Sequence, residues 1–305
     1  MLVLGTLTSS QDSPAASAVP LTGRSLTYEL ANDMGTTRNE TRGGITLIEL
    51  LSAMMIMTMV VGTLGAMAQA VYVSSEYGQG HAATAQHARV SLDRIGRAVR
   101  GAYTSELYPG VGVIEQQVGT WRFTDTLLVW RPRVTPSTPT AEPYNTDGPP
   151  RMNEIVVFCP DPDEPNKLIE LTAADWDKRV VSMATIATII DALKVSSSSK
   201  KVVLTDLLHT AARDDISERR GVVRFEVKVT PTEQQWADYE AGSLAWDDLP
   251  WVQGVYSNKT GLRQTWVRIE IQLTPAAEAA VSKKEQFSPL PYFGSAVLYY
   301  EMNKP

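Results

Sequence analysis

The sequence predicts an α+β protein: a long N-terminal helix, half membrane span and half amphipathic, packed on a C-terminal antiparallel β-rich head. Three observations lead there. Residues 45–73 form an apolar run broken by a single charged residue, Glu49. Small and apolar residues then recur at helical spacing to about residue 102, and the last third alternates apolar and polar residues in strand-length segments.

A helix from Ile45 to Val73 rises about 43 Å at ~1.5 Å per residue, enough to cross a hydrocarbon core of about 30 Å. A core helix of a soluble domain keeps a polar face. Here Met54, Met55, Met57, Val60, Val61 and Leu64 cover every side. Glu49 is the anomaly, because a charge near the bilayer centre costs on the order of 2.5 to 3.5 kcal/mol on insertion scales. Two readings stand side by side: a functional carboxylate that needs a partner, or one that lies a turn inside the span and snorkels to the headgroups. Spacing alone does not separate them. Arg38 and Arg42 precede the span and the next Lys or Arg is Arg89, so the positive-inside rule puts the N-terminus in the cytoplasm and everything after about Val73 outside.

Beyond the span, Ala85, Ala88, Leu92, Ile95, Val99 and Ala102 make one apolar stripe, while Arg89, Asp93 and Arg97 fall at i, i+4 steps on another face, where they can pair. The expected helix therefore runs from Ile45 to about Thr104, near 90 Å at ~1.5 Å per residue. Gly62, Gly65, Gly78 and Gly80 are either its flexible places or points of close helix packing.

After Tyr108-Pro109-Gly110 the pattern turns to strands. Thr126–Arg131 reads as one, followed by a Pro- and Thr-rich loop from Pro132 to Pro150. Glu154–Cys159 and Lys167–Leu171 read as a hairpin around the acidic loop Pro160–Pro165. Helical stretches are expected over Ala173–Lys194, a flexible loop over Ser196–Lys201, and a short helix over Leu204–Ala212. Val222–Val229 and Thr265–Leu273 alternate as half-buried strands, with an aromatic segment between them holding Trp236, Trp246 and Trp251. Ala296–Tyr300 supplies a final strand that closes the sheet.

Composition narrows the chemistry. The 305 residues carry a net charge of −6 without a basic block, which leaves nucleic-acid binding no electrostatic footprint. Removing leader and span leaves about 230 residues, ample for a buried core. The lone Cys159 has no internal disulfide partner and reads as a small strand hydrophobe. His81 and His87 lack the i, i+4 zinc spacing; His209 with Asp206 and nearby serines can be drawn as a triad, but a solvated helix end is the better reading without a Gly-x-Ser-x-Gly elbow. Asp161, Asp163 and Glu164 lack a calcium-loop pattern. Phosphate loop, dinucleotide fingerprint and Cys-x-x-Cys are all missing from the sequence. The expectation is a non-enzymatic chain with no catalytic residues, cofactor or metal site.

Gly44-Ile45-Thr46-Leu47-Ile48-Glu49 resembles the prepilin signature of type IV pilins and type II secretion pseudopilins, with Ile45 where Phe is commonest. That resemblance implies cleavage by a prepilin peptidase after Gly44, N-methylation of Ile45, and a filament-assembly role in which the Glu49 carboxylate meets a neighbouring subunit's N-terminal ammonium. It also implies a leader of about eleven residues starting at Met34, so that Met1–Asp33 is an extension of the gene model. Less specifically, the order Leu92–Arg97, Val223–Val227, a Trp-bearing connection and Val267–Leu273 resembles the J-type minor pseudopilin and the W-type minor pilin. The division that follows is leader and extension 1–44, transmembrane half-helix 45–73, amphipathic half 74–105 and extracytoplasmic head 106–305. The resemblance implies a single-pass bacterial inner-membrane precursor with a periplasmic head, later part of a filament. Its implied partners are the peptidase, other minor and major (pseudo)pilins met through the N-terminal helix, and the inner-membrane assembly platform. The expected function is nucleation or capping of a type II secretion pseudopilus. Its alternatives are a type IV minor pilin and, in a different class, a membrane-anchored periplasmic enzyme or binding domain.

Overall fold

The computed structural model describes residues 44–104, 108–118, 121–132, 150–173, 183–213, 216–275 and 289–304. The expected leader with its start at Met34, and most of the loop after Pro132, lie outside them. The chain forms two compact units, one ending at Val60 and one from Val61 to Pro305.

Helix α1, Leu47–Arg100, has 54 residues and passes unbroken through Gly62, Gly65, Gly78 and Gly80. In the first unit every described residue is exposed, Ile45 and Leu47 to 77% and Met55 to 74%. Among the described residues α1 is the one helix long and apolar enough to cross a membrane, which is consistent with a single-pass membrane protein. It stops four residues short of the expected Thr104. At Gly101 the chain leaves the helix, and the Tyr103 N–H donates to the Trp130 carbonyl at 2.9 Å.

In the second unit α1 lies on a β-rich head. A five-stranded antiparallel sheet, in spatial order β1 (Val111–Val118), β2 (Trp121–Trp130), β3 (Ile155–Pro160), β4 (Leu168–Thr172) and β5 (Lys200–Thr205), is a simple meander. Its two faces bury different cores. Leu127, Val129, Val156, Phe158 and Leu168 face Ala88, Ile95, Ala98 and Val99 of α1. Leu128, Ile155, Val157, Cys159, Ile169 and Leu171 face Ile186, Ile190 and Leu193 of α2, Met183–Val195. Coverage on both sides explains why Ile155–Cys159 is a continuous apolar run rather than an alternating one.

A three-stranded sheet, ordered β10 (Leu290–Asn303), β9 (Thr260–Leu273), β8 (Val223–Thr230), presents Phe225, Val267, Ile269, Ile271, Ala296 and Leu298 to the α1 core. Its strand β8 runs beside β1 and β2. The hairpin β6 (Thr210–Arg213) and β7 (Ile216–Gly221) links the two sheets. Helix α3, Glu233–Glu240, and two short 3-10 turns carry the aromatic segment, in which Trp246, Leu249, Trp251 and Met302 form a satellite core.

Several expectations are corrected. The expected helix over Leu204–Ala212 is the end of β5 and most of β6, because Val202-Val203-Leu204 finds a pairing partner in β4 and the stretch from Thr210 one in β7. The loop assigned to Ser196–Lys201 ends at Ser199, with Lys200 and Lys201 already in β5. Strand β2 starts at Trp121, not Thr126, and β10 spans 14 residues rather than Ala296–Tyr300 and lies at an edge of its sheet. The apolar stripe of α1 holds at Ala88, Ile95 and Val99, with Leu92 and Ala102 partly buried against the same core, and fails at Ala85. Ala85 is exposed, and Thr84, Ala88, Ser91, Ile95, Ala98 and Val99 face the head. Thr84 and Ser91 can be buried because each hydroxyl donates at 2.8 Å to a carbonyl one turn back in α1, Gly80 and His87. Asp93 pairs with Arg97 at 2.6 Å and with Arg100 at 3.8 Å.

Candidate functional site

Gly44, Ile45 and Glu49 gather at the start of α1. The Thr46 carbonyl accepts the Leu50 N–H at 3.1 Å, making Thr46 the residue that caps the helix. Its hydroxyl oxygen accepts the Glu49 N–H at 3.3 Å. In return Glu49 Oε2 accepts the Thr46 backbone N–H and the Thr46 hydroxyl, both at 3.0 Å. These reciprocal bonds form a capping box, which satisfies backbone donors that have no partner within the helix. Gly44 and Ile45 precede the cap and are exposed, and a Cβ added at Gly44 would meet nothing within 4 Å. Among the described residues nothing shields the peptide bond before Ile45, and the Glu49 carboxylate is folded back onto Thr46, the next residue. Thr46 was missed as a contributor, although Thr-x-x-Glu ahead of an apolar run is itself a readable sequence signal.

The other residues singled out in the sequence do not converge. The His81 ring packs on Tyr77 at 4.0 Å between centroids, and His87 Nδ1 lies 3.4 Å from Thr205 Oγ1. His209 follows β5 rather than ending a helix; its Nδ1 lies 3.1 Å from Thr274 Oγ1, and burial lowers its pKa. The nearby Asp206 instead offers its backbone carbonyl to Asn166 at 3.1 Å. In the acidic loop, Asp161 accepts the Asp163 N–H at 3.0 Å, and Lys201 reaches Asp161 at 3.4 Å and Asp163 at 3.5 Å. Glu164 pairs with Lys167 at 2.6 Å. Each of these carboxylates thus has a cationic partner, and among the described residues no group of three or more His, Cys, Asp or Glu is placed to hold a metal. Trp236, Trp246 and Trp251 pack on one another, and two of their N–H groups are used on backbone carbonyls: Trp246 donates to the Ser257 carbonyl at 2.7 Å and Trp251 to the Trp246 carbonyl at 2.9 Å.

One pocket of about 90 Å³ in the head draws together charges that are far apart in sequence, lined by Asp125, Asp161, Lys194 and Arg220 with Gln116 and Pro160. Arg220 donates to Gln116 at 3.2 Å and to Asp125 at 3.4 Å, and Lys194 donates to Thr126 at 3.0 Å. Burial raises the Asp125 carboxyl pKa, an effect opposed by Lys194 and Arg220. Cys159 lies close by, and burial pushes its thiol up to about 12. The group is an ion-paired lining with no activated nucleophile and no histidine.

Set against known proteins, the chain matches no family model, no curated protein and no solved structure.

Proposed function

We propose that the chain is a minor pseudopilin, a structural subunit that nucleates or caps a type II secretion pseudopilus after a prepilin peptidase cuts between Gly44 and Ile45. One observation carries this reading. The hexad Gly44–Glu49 lies at the cap of a single helix whose apolar first part is wholly exposed and whose amphipathic last part is built into a β-rich head. An exposed apolar helix needs a bilayer or other helices around it, and a subunit moving from membrane to filament exchanges one for the other.

In this proposal cleavage creates an ammonium at Ile45, beside the capped turn. Glu49 spends Oε2 on Thr46 and keeps Oε1 available for the ammonium of a neighbouring subunit, which would compensate a carboxylate held in an apolar bundle. The partners are the peptidase, other major and minor (pseudo)pilins and the inner-membrane assembly platform. The head stays outside the membrane and is carried by α1.

The test is the mature N-terminus. Mass spectrometry of the protein from producing cells should find N-methylated Ile45, and cells lacking prepilin peptidase should retain the unprocessed chain. Another N-terminus, or processing that persists without the peptidase, refutes the reading. Glu49→Ala separates filament subunit from simple anchor, because a subunit loses assembly while still inserting, whereas an anchor is indifferent to the change.

A further inference from the structure

The strand edges of the head are guarded unequally. An open edge is a template for foreign strands, and proteins blunt it with short strands, bulges, lysines or a covering element. Edge strand β1 carries a bulge between Ile114 and Gln116. At the opposite edge β5 has six residues, includes Lys200 and Lys201, and pairs through a register shift. One edge of the second sheet, β8, lies beside β1 and β2. The other edge, β10, has none of these guards among the described residues: 14 residues in unbroken register with β9, no lysine among them, and Pro291 only at its start.

The direction of its free groups follows from the register. The Lys304 N–H donates to the Lys259 carbonyl at 2.7 Å, continuing the β9 ladder, so even-numbered residues of β10 point their backbone groups at β9. The N–H and C=O groups of Phe293, Ser295, Val297, Tyr299 and Glu301 therefore point outward. Among the described residues they receive no backbone hydrogen bond. Pro291 falls in the same outward set, where a missing N–H costs the ladder nothing.

A groove of about 410 Å³ runs between the first half of β10 and α1. Its floor is Ala88, Leu92 and Gly96, its rim Arg89, and Gly294 lets Leu92 approach to 3.1 Å of where a Cβ would stand. A strand added beside β10 would direct alternate side chains into this groove. Arg89 makes no ion pair among the described residues, while Asp93 on the same rim is already held by Arg97.

We propose that β10 is a docking edge for an extended segment of another protein, which pairs with Phe293–Glu301 and sets an acidic side chain against Arg89 above the Ala88–Leu92 floor. A second copy is the poorer occupant. Antiparallel pairing of two β10 edges requires a two-fold axis perpendicular to the sheet, which reverses the α1 segment packed on it. Copies inserted in one membrane with the same topology run their α1 helices in the same sense. The inference rests on the membrane reading only for that exclusion.

The test uses the full chain in detergent micelles and an eight-residue peptide with threonine at odd positions, valine at even ones and glutamate in place of the valine at position four. Hydrogen exchange read residue by residue should show the amides of Phe293, Ser295, Val297, Tyr299 and Glu301 protected on peptide addition. Ser295→Pro, which removes an outward N–H, should weaken binding at least tenfold. Ser295→Lys, a charge on the edge that leaves the N–H in place, should do the same if the proline perturbs the fold. Arg89→Glu should prefer a peptide with lysine at position four. The proposal is overturned if millimolar peptide protects none of these amides, if both Ser295 variants bind normally, or if protection grows with protein concentration without peptide, which would mark self-pairing. None of these outcomes touches the N-terminal processing test.

Discussion

The pair Arg94–Glu170 is the sharpest test of how α1 is held by the head. Arg94 Nε donates to Glu170 Oε2 at 2.8 Å and Nη2 to Oε1 at 3.0 Å, a bidentate bridge from α1 to β4. The carboxylate side chain is only 9% exposed and the guanidinium side chain 49%, so one partner is stripped of water and the other is not. Breaking a fully buried pair costs about 3–5 kcal/mol, and a hydrogen bond to a charged group contributes about 1.5–3 kcal/mol. The half-exposed guanidinium moves the expectation below the first range through screening. Arg94→Met, which keeps the aliphatic stem, should therefore cost about 2 kcal/mol, much of it the penalty of leaving Glu170 unpaired. Glu170→Gln should cost less, about 1 kcal/mol, because the neutral amide is cheaper to bury and its oxygen can still accept from Arg94, whose half-exposed guanidinium keeps much of its water. The double variant should reveal a coupling of about 1–2 kcal/mol in urea unfolding of the full chain in micelles, followed by tryptophan fluorescence. Coupling below about 0.3 kcal/mol, the range within which independent sites add, would refute the tether.

Two further expectations concern the interior of the head. With its thiol pushed up to about 12, Cys159 holds about one thiolate in ten thousand at pH 8, against about a quarter for a free cysteine, so iodoacetamide should label the folded protein only very slowly and faster as pH rises; rapid native labelling at pH 8 would show the thiol is not buried between β3 and α2. Packing should also be tight where the two sheets meet. At Gly221 a Cβ would run into both Leu208 Cδ2 and the Pro165 carbonyl oxygen, so Gly221→Ala should cost about 1–3 kcal/mol, whereas Gly242→Ala, which meets nothing within 4 Å but sits at φ +75°, should cost about 1 kcal/mol; equal effects in thermal unfolding would contradict the close approach.

What could be read in advance, and what could not, divides along physical lines. The long helix was legible because its exposed apolar surface identifies its own solvent, and β8 and β9 because one face of each meets the core and the other meets water. The hexad at Gly44–Glu49 was legible as a local pattern, and so in principle was the Thr46 cap. Strands β5 and β7 were not, since Lys200–Thr205 owes its conformation to pairing with β4, and polar Ile216–Gly221 to pairing with β6. The Arg94–Glu170 bridge joins residues 76 apart and the charged pocket draws on four strands and α2, contacts that no local spacing encodes. The α1 stripe was legible at Ala88, Leu92, Ile95, Val99 and Ala102, but Thr84 and Ser91 were not, because only apolar residues were counted while these two bury hydroxyls they satisfy on their own helix.

Strand β10 shows the same lesson from the opposite side. The expected strand covers Ala296–Tyr300 alone; the first half of β10 holds Pro291 and Gly294, residues that ordinarily break a strand, yet each fits its position. Proline stands where the N–H points away from β9, and glycine where Leu92 of α1 leaves room for no more than a hydrogen at ordinary contact distance. A breaker residue thus becomes informative once the neighbour that it accommodates is known. Here the neighbours are α1 on one side and, among the described residues, an unpaired edge on the other, the edge proposed to take a strand of another chain.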